Sequence, residues 1–339
     1  MRIPADRPVG FYHCLSRIVD RRRIFGDGEK ERFVALMREC ERFCRVRVLT
    51  YAVMANHFHI LVEVPKRPDS LSLPGPEEII AELRRLSGHQ SPEAVEQRFA
   101  TLRAAKDDEG VARFLATFHA RMYDVSAFMK MLKQRFTQWY NGRQGRKGTL
   151  WEERFRSVLV DGAGESLATM AAYIDLNPVR AGLAKDPKDY RWCGYAEAMA
   201  GRKRARAGIQ FLATTLRQGH EEPVARSMET YREHLFLEGD ERRQTLGPDG
   251  RPVRGSMSAT AVAEVLKARG KLPLSEYLKC RVRYFNDGAA LGGKEFVEGI
   301  FEAYRQRFGA NRKTGARAMR GLSSHRLFTL RDLQSNVFG

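Results

Sequence analysis

The stretch Val53-Met54-Ala55-Asn56-His57-Phe58-His59-Ile60-Leu61-Val62-Glu63-Val64 constrains the fold of this chain more than any other. It is apolar and of strand length, and it is interrupted by histidines at i and i+2. Successive side chains of a strand point to opposite faces, so His57 and His59 share one face while Phe58 and Ile60 share the other. Two imidazoles side by side on a rigid sheet can hold a divalent cation, provided a third ligand arrives from elsewhere. The same pair can also sit in a polar patch of an ordinary sheet, and the segment alone does not choose between these.

The flanking chain supplies partners for that strand. Gly10 to Ser16 alternates and is rich in strand formers, and Arg21, Arg22 and Arg23 follow its exit. Phe33, Leu36, Met37, Cys40, Phe43 and Cys44 repeat at helical spacing, which predicts a helix from Asp27 to about Arg45. Val46 to Met54 reads as a strand, with Ala55-Asn56 as the turn into the histidine strand. From Pro65 to about Ala120 a mostly helical insertion is expected. A helix then resumes at Asp124 with Phe128, Leu132, Phe136 and Tyr140 in one stripe and Asn141-Gly142 as its stop. Arg154 to Val160 reads as a further strand. The order β-α-β-β-α-β predicts an α+β fold, a ferredoxin-like split βαβ antiparallel sheet with helices on one face.

Beyond it, a helix from about Ser166 to Asn177-Pro178 buries Leu167, Met170, Ala171 and Ile174. Thr169, Tyr173 and Asn177 form a polar stripe on the same helix. Residues 1–204 are expected to form one domain carrying the 65–120 insertion. Residues 205–339 are expected to form a mostly helical, basic region that binds DNA. Val262, Val265 and Leu266 suggest one helix there, and Phe296 to Tyr304 another.

Charge narrows the partner. Lys and Arg number 59 against 41 Asp and Glu, a net +18, which points to a polyanion and most simply to nucleic acid. Lys133 to Arg156 carries seven cations and two acids, an arm on which Arg143, Arg146, Lys147, Arg154 and Arg156 could follow a backbone while Trp151 stacks on an unpaired base. Trp151 packed beneath the sheet is the ordinary alternative. Arg305 to Arg326 holds seven Lys or Arg and no acid, with Arg312 and Lys313 as phosphate contacts. Arg180, Lys185 and Arg191 are further such contacts. The five cysteines form no CxxC pair and suit a reducing compartment. No apolar run approaches transmembrane length and the N-terminus lacks a signal-peptide core, so a cytoplasmic protein is expected.

Three motifs in order, Asn56-His57-Phe58-His59, Gly145 to Ser157 and Tyr173-Ile174-Asp175-Leu176-Asn177-Pro178-Val179-Arg180-Ala181-Gly182, resemble the landmarks of the REP-associated tyrosine transposases, a group of single-tyrosine HUH transposases. The resemblance runs from about Gly10 to Tyr195. It implies the HUH endonuclease fold, with His57, His59 and Asn177 as ligands of Mg²⁺ or Mn²⁺ and Tyr173 as the nucleophile. The reaction it implies is cleavage of single-stranded DNA at a hairpin, a REP-type palindrome, through a 5′-phosphotyrosine intermediate. Such a protein acts as monomer or homodimer and needs no membrane and no small-molecule substrate. Tyr140 continues an apolar stripe, and Tyr12 and Tyr51 lie in strands, so these read as structural. A rolling-circle or relaxase-like nickase shares the histidine pair and the tyrosine. A non-catalytic nucleic-acid binder would instead carry stacking aromatics where His57 and His59 stand.

Overall fold

A computed structural model describes residues 9–86, 91–163, 165–217, 219–220, 222–236, 285–319 and 327–331. Its first half runs β1 (Val9–Arg17), α1 (Asp27–Phe43), β2 (Arg47–Val53), β3 (His57–Pro65), three insertion helices α2 (Pro76–Arg84), α3 (Pro92–Ala104) and α4 (Asp108–His119), then α5 (Val125–Gln144) and β4 (Arg156–Val160). Strands β2, β3, β1 and β4 lie side by side in that order, every neighbouring pair antiparallel. This is the split βαβ arrangement, with β3 and β1 central.

The alternation of strand side chains sorts residues onto two cores. Tyr12, Cys14, Tyr51, Phe58, Ile60 and Val62 point to one face and pack with Phe33, Met37, Phe128, Leu132 and Phe136 of α1 and α5. The aromatic contact there is close, with Phe33 and Phe58 centroids 4.6 Å apart. Each such fully buried side chain contributes about 1.5–3 kcal/mol. Helix α5 starts where the Asp124 carboxylate accepts from the Ala127 N–H over 2.8 Å. It passes through Asn141-Gly142, which the sequence marks as its stop, and ends at Gly145, where φ of +58° supplies the left-handed cap. A glycine three residues later in the same motif meets the geometric need, so Gly142 remains helical.

The opposite face, bearing Phe11, Leu49, Leu61, Val158 and Val160, is covered by α6 (Glu165–Asp175), the short α7 (Asn177–Arg180), α8 (Gly194–Met199), α9 (Lys203–Leu216) and α10 (Val224–Phe236). Helix α9 approaches the β2 backbone closely at Gly208, where a Cβ would lie 2.3 Å from the Leu49 carbonyl oxygen. The chain re-enters the description at Phe285. It adds β5 (Ala290–Gly292), α11 (Lys294–Ala303), β6 (Arg317–Ala318) and β7 (Phe328–Leu330). β5 pairs parallel to β4, and β7 and β6 follow antiparallel, giving a seven-stranded sheet of mixed topology. The described residues after position 205 are thus largely helical, with short strands that prolong the sheet. The helix suggested by Val262, Val265 and Leu266 lies outside the described residues. Among those described, no helix is long and apolar enough to cross a membrane, and Cys14, Cys40, Cys44 and Cys193 are unpaired and buried.

Candidate active site

The register of β1 on β3 sets Arg17 opposite His57 and Leu15 opposite His59. Both histidines face α6, away from the Phe58 core, as alternation requires. Their rings are 5.1 Å apart and nearly perpendicular. Tyr173 of α6 meets them from above, its ring 5.9 Å from His59 and edge-on to it. Tyr140 lies across the sheet among the α1 and α5 aromatics, where it packs on Phe136.

Helix α6 is fixed over the sheet by a buried carboxylate. Asp175 accepts from Thr50 Oγ1 (2.6 Å), Tyr231 Oη (2.7 Å) and the Tyr195 N–H (3.2 Å), which ties α6 to β2, α10 and α8. Complete burial nevertheless lifts its carboxyl from 3.8 to about 7, against the pull of those three hydrogen bonds.

Hydrogen bonds assign the imidazole protons. The Phe285 carbonyl oxygen lies 3.0 Å from His13 Nδ1 and can only accept, so His13 carries its proton on Nδ1. His13 Nε2 then accepts, over 2.9 Å, from His59 Nδ1. His57 Nδ1 lies 2.7 Å from Asn56 Oδ1, another acceptor. Both motif histidines are thereby left with an Nε2 lone pair. Desolvation lowers His13 and His57 to about 4 and His59 well below its ordinary value, and the Arg17 and Arg180 cations add to this for both motif histidines. Neutral imidazoles with one committed N–H and one open lone pair are the form a metal requires.

Tyr173 is fully buried. Phe285 stacks on one side of its ring, and the Arg180 guanidinium lies over it at 4.6 Å. Its Oη accepts from Asn286 Nδ2 (2.9 Å) and from Arg180 Nη2 (3.3 Å). Burial raises the phenol, and the Arg180 charge and both hydrogen bonds oppose that rise. One turn on, Asn177 donates from Nδ2 to the Tyr173 carbonyl, while its Oδ1 accepts from Arg180. The amide expected as third ligand is therefore held by a cation in this conformation. Among the described residues, no group of three or more His, Cys, Asp or Glu side chains could hold a metal ion.

The expected DNA contacts divide. Arg21, Arg22 and Arg23 are exposed beside the β2–β3 turn, where Asn56 Nδ2 donates to the Arg21 carbonyl. Arg22 and Arg146 line one small hollow with Tyr140, so two basic clusters far apart in sequence adjoin. Arg143, Lys147, Arg154 and Lys313 are exposed, while Arg156 is paired with Glu153 and Asp287. Three of them have partners within the fold. Trp151 is buried in the α1 and α5 core against Phe25, Phe58 and Phe136, with Nε1 donating to Thr137 Oγ1, so its indole is not offered to a base. Arg312 donates from its guanidinium to the carbonyls of Thr314, Gly315 and Arg331. Arg180, half-buried, contacts the Tyr173 phenol and the Asn177 amide oxygen.

His13, Phe285 and Asn286 are absent from the sequence expectations. His13 could have been noticed as a histidine between Phe11 and Leu15 on one face of β1. Nothing local marks Phe285 or Asn286.

Residues 10–73, which span β1 to β3 and include both motif histidines, match the family described as "Transposase IS200 like". A similar solved structure is described as "Structure of the REP associates tyrosine transposase bound to a REP hairpin". It is 14% identical, the match covers 59% of this chain and 87% of that one, and the TM-score is 0.36. No curated protein matches.

Proposed function

We propose that this protein is a metal-dependent single-strand DNA endonuclease and strand transferase of the HUH single-tyrosine kind, with Tyr173 as nucleophile. The observation that carries the reading is the meeting of Tyr173 with His59, whose ring adjoins His57 on the same face of the sheet, from elements more than 100 residues apart in sequence. The IS200-like match over residues 10–73 and the net charge of +18 support it.

The histidine pair suits a divalent cation, because both Nε2 lone pairs are open and both rings are neutral. His57 and His59 would hold it, with Asn177 joining once its oxygen leaves Arg180. When bound, the ion would offset charge growing on the non-bridging oxygens of the scissile phosphate. Two nitrogen donors favour Mn²⁺ over Mg²⁺, which prefers an all-oxygen shell.

The chain's own groups do the rest. Arg180 and Asn286 hold Tyr173 Oη in place, and the Arg180 charge favours its phenolate. Attack of Oη on phosphorus forms the phosphotyrosine bond and breaks the bond to the 3′ oxygen, which leaves as a hydroxyl after taking a proton. Reversal by another 3′-hydroxyl joins strands without a nucleotide cofactor. A substrate phosphate competes for the Arg180 guanidinium, which frees Asn177. Arg21 to Arg23 and the Arg143 to Lys147 arm flank the histidine end of β3 and would carry the DNA backbone.

The test is a labelled single-stranded hairpin incubated with the protein and Mn²⁺, with covalent adduct as the readout. Tyr173→Phe is expected to abolish the adduct and retain binding. An adduct that persists in Tyr173→Phe, or that survives chelation, overturns the reading.

A further inference from the structure

We infer that His13, outside the three motifs, is a positioning residue that sets the tautomer of His59 and so makes its Nε2 available as a ligand. The inference rests on the nuclease reading for its purpose, while its geometry stands apart from it.

The chain of hydrogen bonds has a fixed direction. It begins at the backbone carbonyl of Phe285, which has no proton to give. His13 Nδ1 must donate to it, and in a neutral ring this leaves Nε2 as an acceptor. His59 Nδ1 must therefore be the donor across the 2.9 Å contact, and its own Nε2 is the nitrogen left bare. Were the Phe285 carbonyl elsewhere, nothing would prevent His13 from reversing and His59 from placing its proton on Nε2, where it would block a metal.

The surroundings leave the relay little freedom to rearrange. His13 and His59 are each 1% exposed and their rings lie stacked, with centroids 5.1 Å apart and planes 17° from parallel. Tyr173 closes the edge of His13 at 6.0 Å. His57 is oriented separately, by Asn56 from the turn. The two ligands thus take their tautomers from different parts of the protein, one from its neighbour in sequence and one from a carbonyl 272 residues beyond His13. Groups that orient a ligating imidazole typically change metal affinity ten- to a hundredfold when removed, roughly.

The decisive measurement is the nitrogen-15 spectrum of the histidine rings in the intact, metal-free protein, which distinguishes protonated from bare ring nitrogens. Wild type is expected to carry the His59 proton on Nδ1. His13→Ala is expected to move it to Nε2, with His57 unchanged, and to weaken Mn²⁺ binding about tenfold or more. His13→Gln, whose amide oxygen can accept from His59, is expected to return the proton to Nδ1 and recover most of the affinity. A His59 proton on Nε2 in wild type overturns the assignment even if the alanine variant does not fold. So does a His13→Ala protein with His59 and Mn²⁺ affinity unaltered. Absence of any DNA adduct from wild type defeats the nuclease reading alone, since the spectra judge His13 without DNA.

Discussion

The ring of Tyr173 lies beneath that of Phe285, centroids 4.5 Å apart and planes 11° from parallel, in a molecule where 112 residues separate them. Offset stacking of this kind adds about 0.5–1.5 kcal/mol to the burial of each ring. It also covers a face of the phenol ring. Phe285→Ala is expected to cost about 3–5 kcal/mol of stability by chemical denaturation. It is also expected to increase nitration of Tyr173 by tetranitromethane relative to wild type under folding conditions. Unchanged protection would mean that other groups seal the phenol.

Asp175 predicts an unusual pH dependence. Its carboxyl titrates at about 7 when folded and near 3.8 when free. Between these values the unfolded chain has released the proton that the folded protein retains, so this group's contribution to stability is present below 3.8 and is lost as pH rises through about 7. Asp175→Asn keeps an acceptor for Thr50 and removes the titration. From about pH 5 to about pH 8 the variant's unfolding free energy is expected to gain on that of wild type. A constant difference across that range would show that the three hydrogen bonds outweigh burial.

The buried indole gives a discriminating substitution. Trp151→Phe removes the Nε1 hydrogen bond to Thr137 and is expected to lower stability by about 1–2 kcal/mol. Affinity for single-stranded DNA is expected to stay within twofold, roughly, because no base reaches that ring. A loss of DNA affinity without loss of stability would restore the stacking role.

If the exposed arginines hold phosphates as proposed, binding will depend on counterion release. Replacing Arg21, Arg22 and Arg23 together by serine is expected to reduce the slope of log affinity against log salt by up to about 2, at 0.7 per single-strand phosphate contact. An unaltered slope would place the DNA path elsewhere.

What could be read in the sequence followed from periodicity. Alternation around Phe58 put the two histidines on one face, and the Phe128, Leu132, Phe136 stripe placed α5 against the opposite one. Helical spacing set Tyr173 of α6 and Asn177 of α7 together, though it could not show that Arg180 would reach back and take the Asn177 oxygen. Trp151 was misjudged because a basic neighbourhood says little about an indole's own direction. The partners of Arg312 are backbone carbonyls, which leave no trace in composition. His13, Phe285 and Asn286 join the site only through long-range folding, and no local pattern encodes a contact across 272 or 113 residues.

Strand β5 has a temporal consequence. Chains emerge from the ribosome amino end first, and a parallel pair such as β4 and β5 can form only after the connection between them has been made. The histidine strand and helix α6 can therefore fold while Phe285 is still unsynthesised. A nascent or prematurely terminated product would possess two imidazoles and a phenol without the carbonyl that directs one and the ring that shields the other. Assembly order thus places the covering of Tyr173 by Phe285 after the folding of the strand and helix it completes.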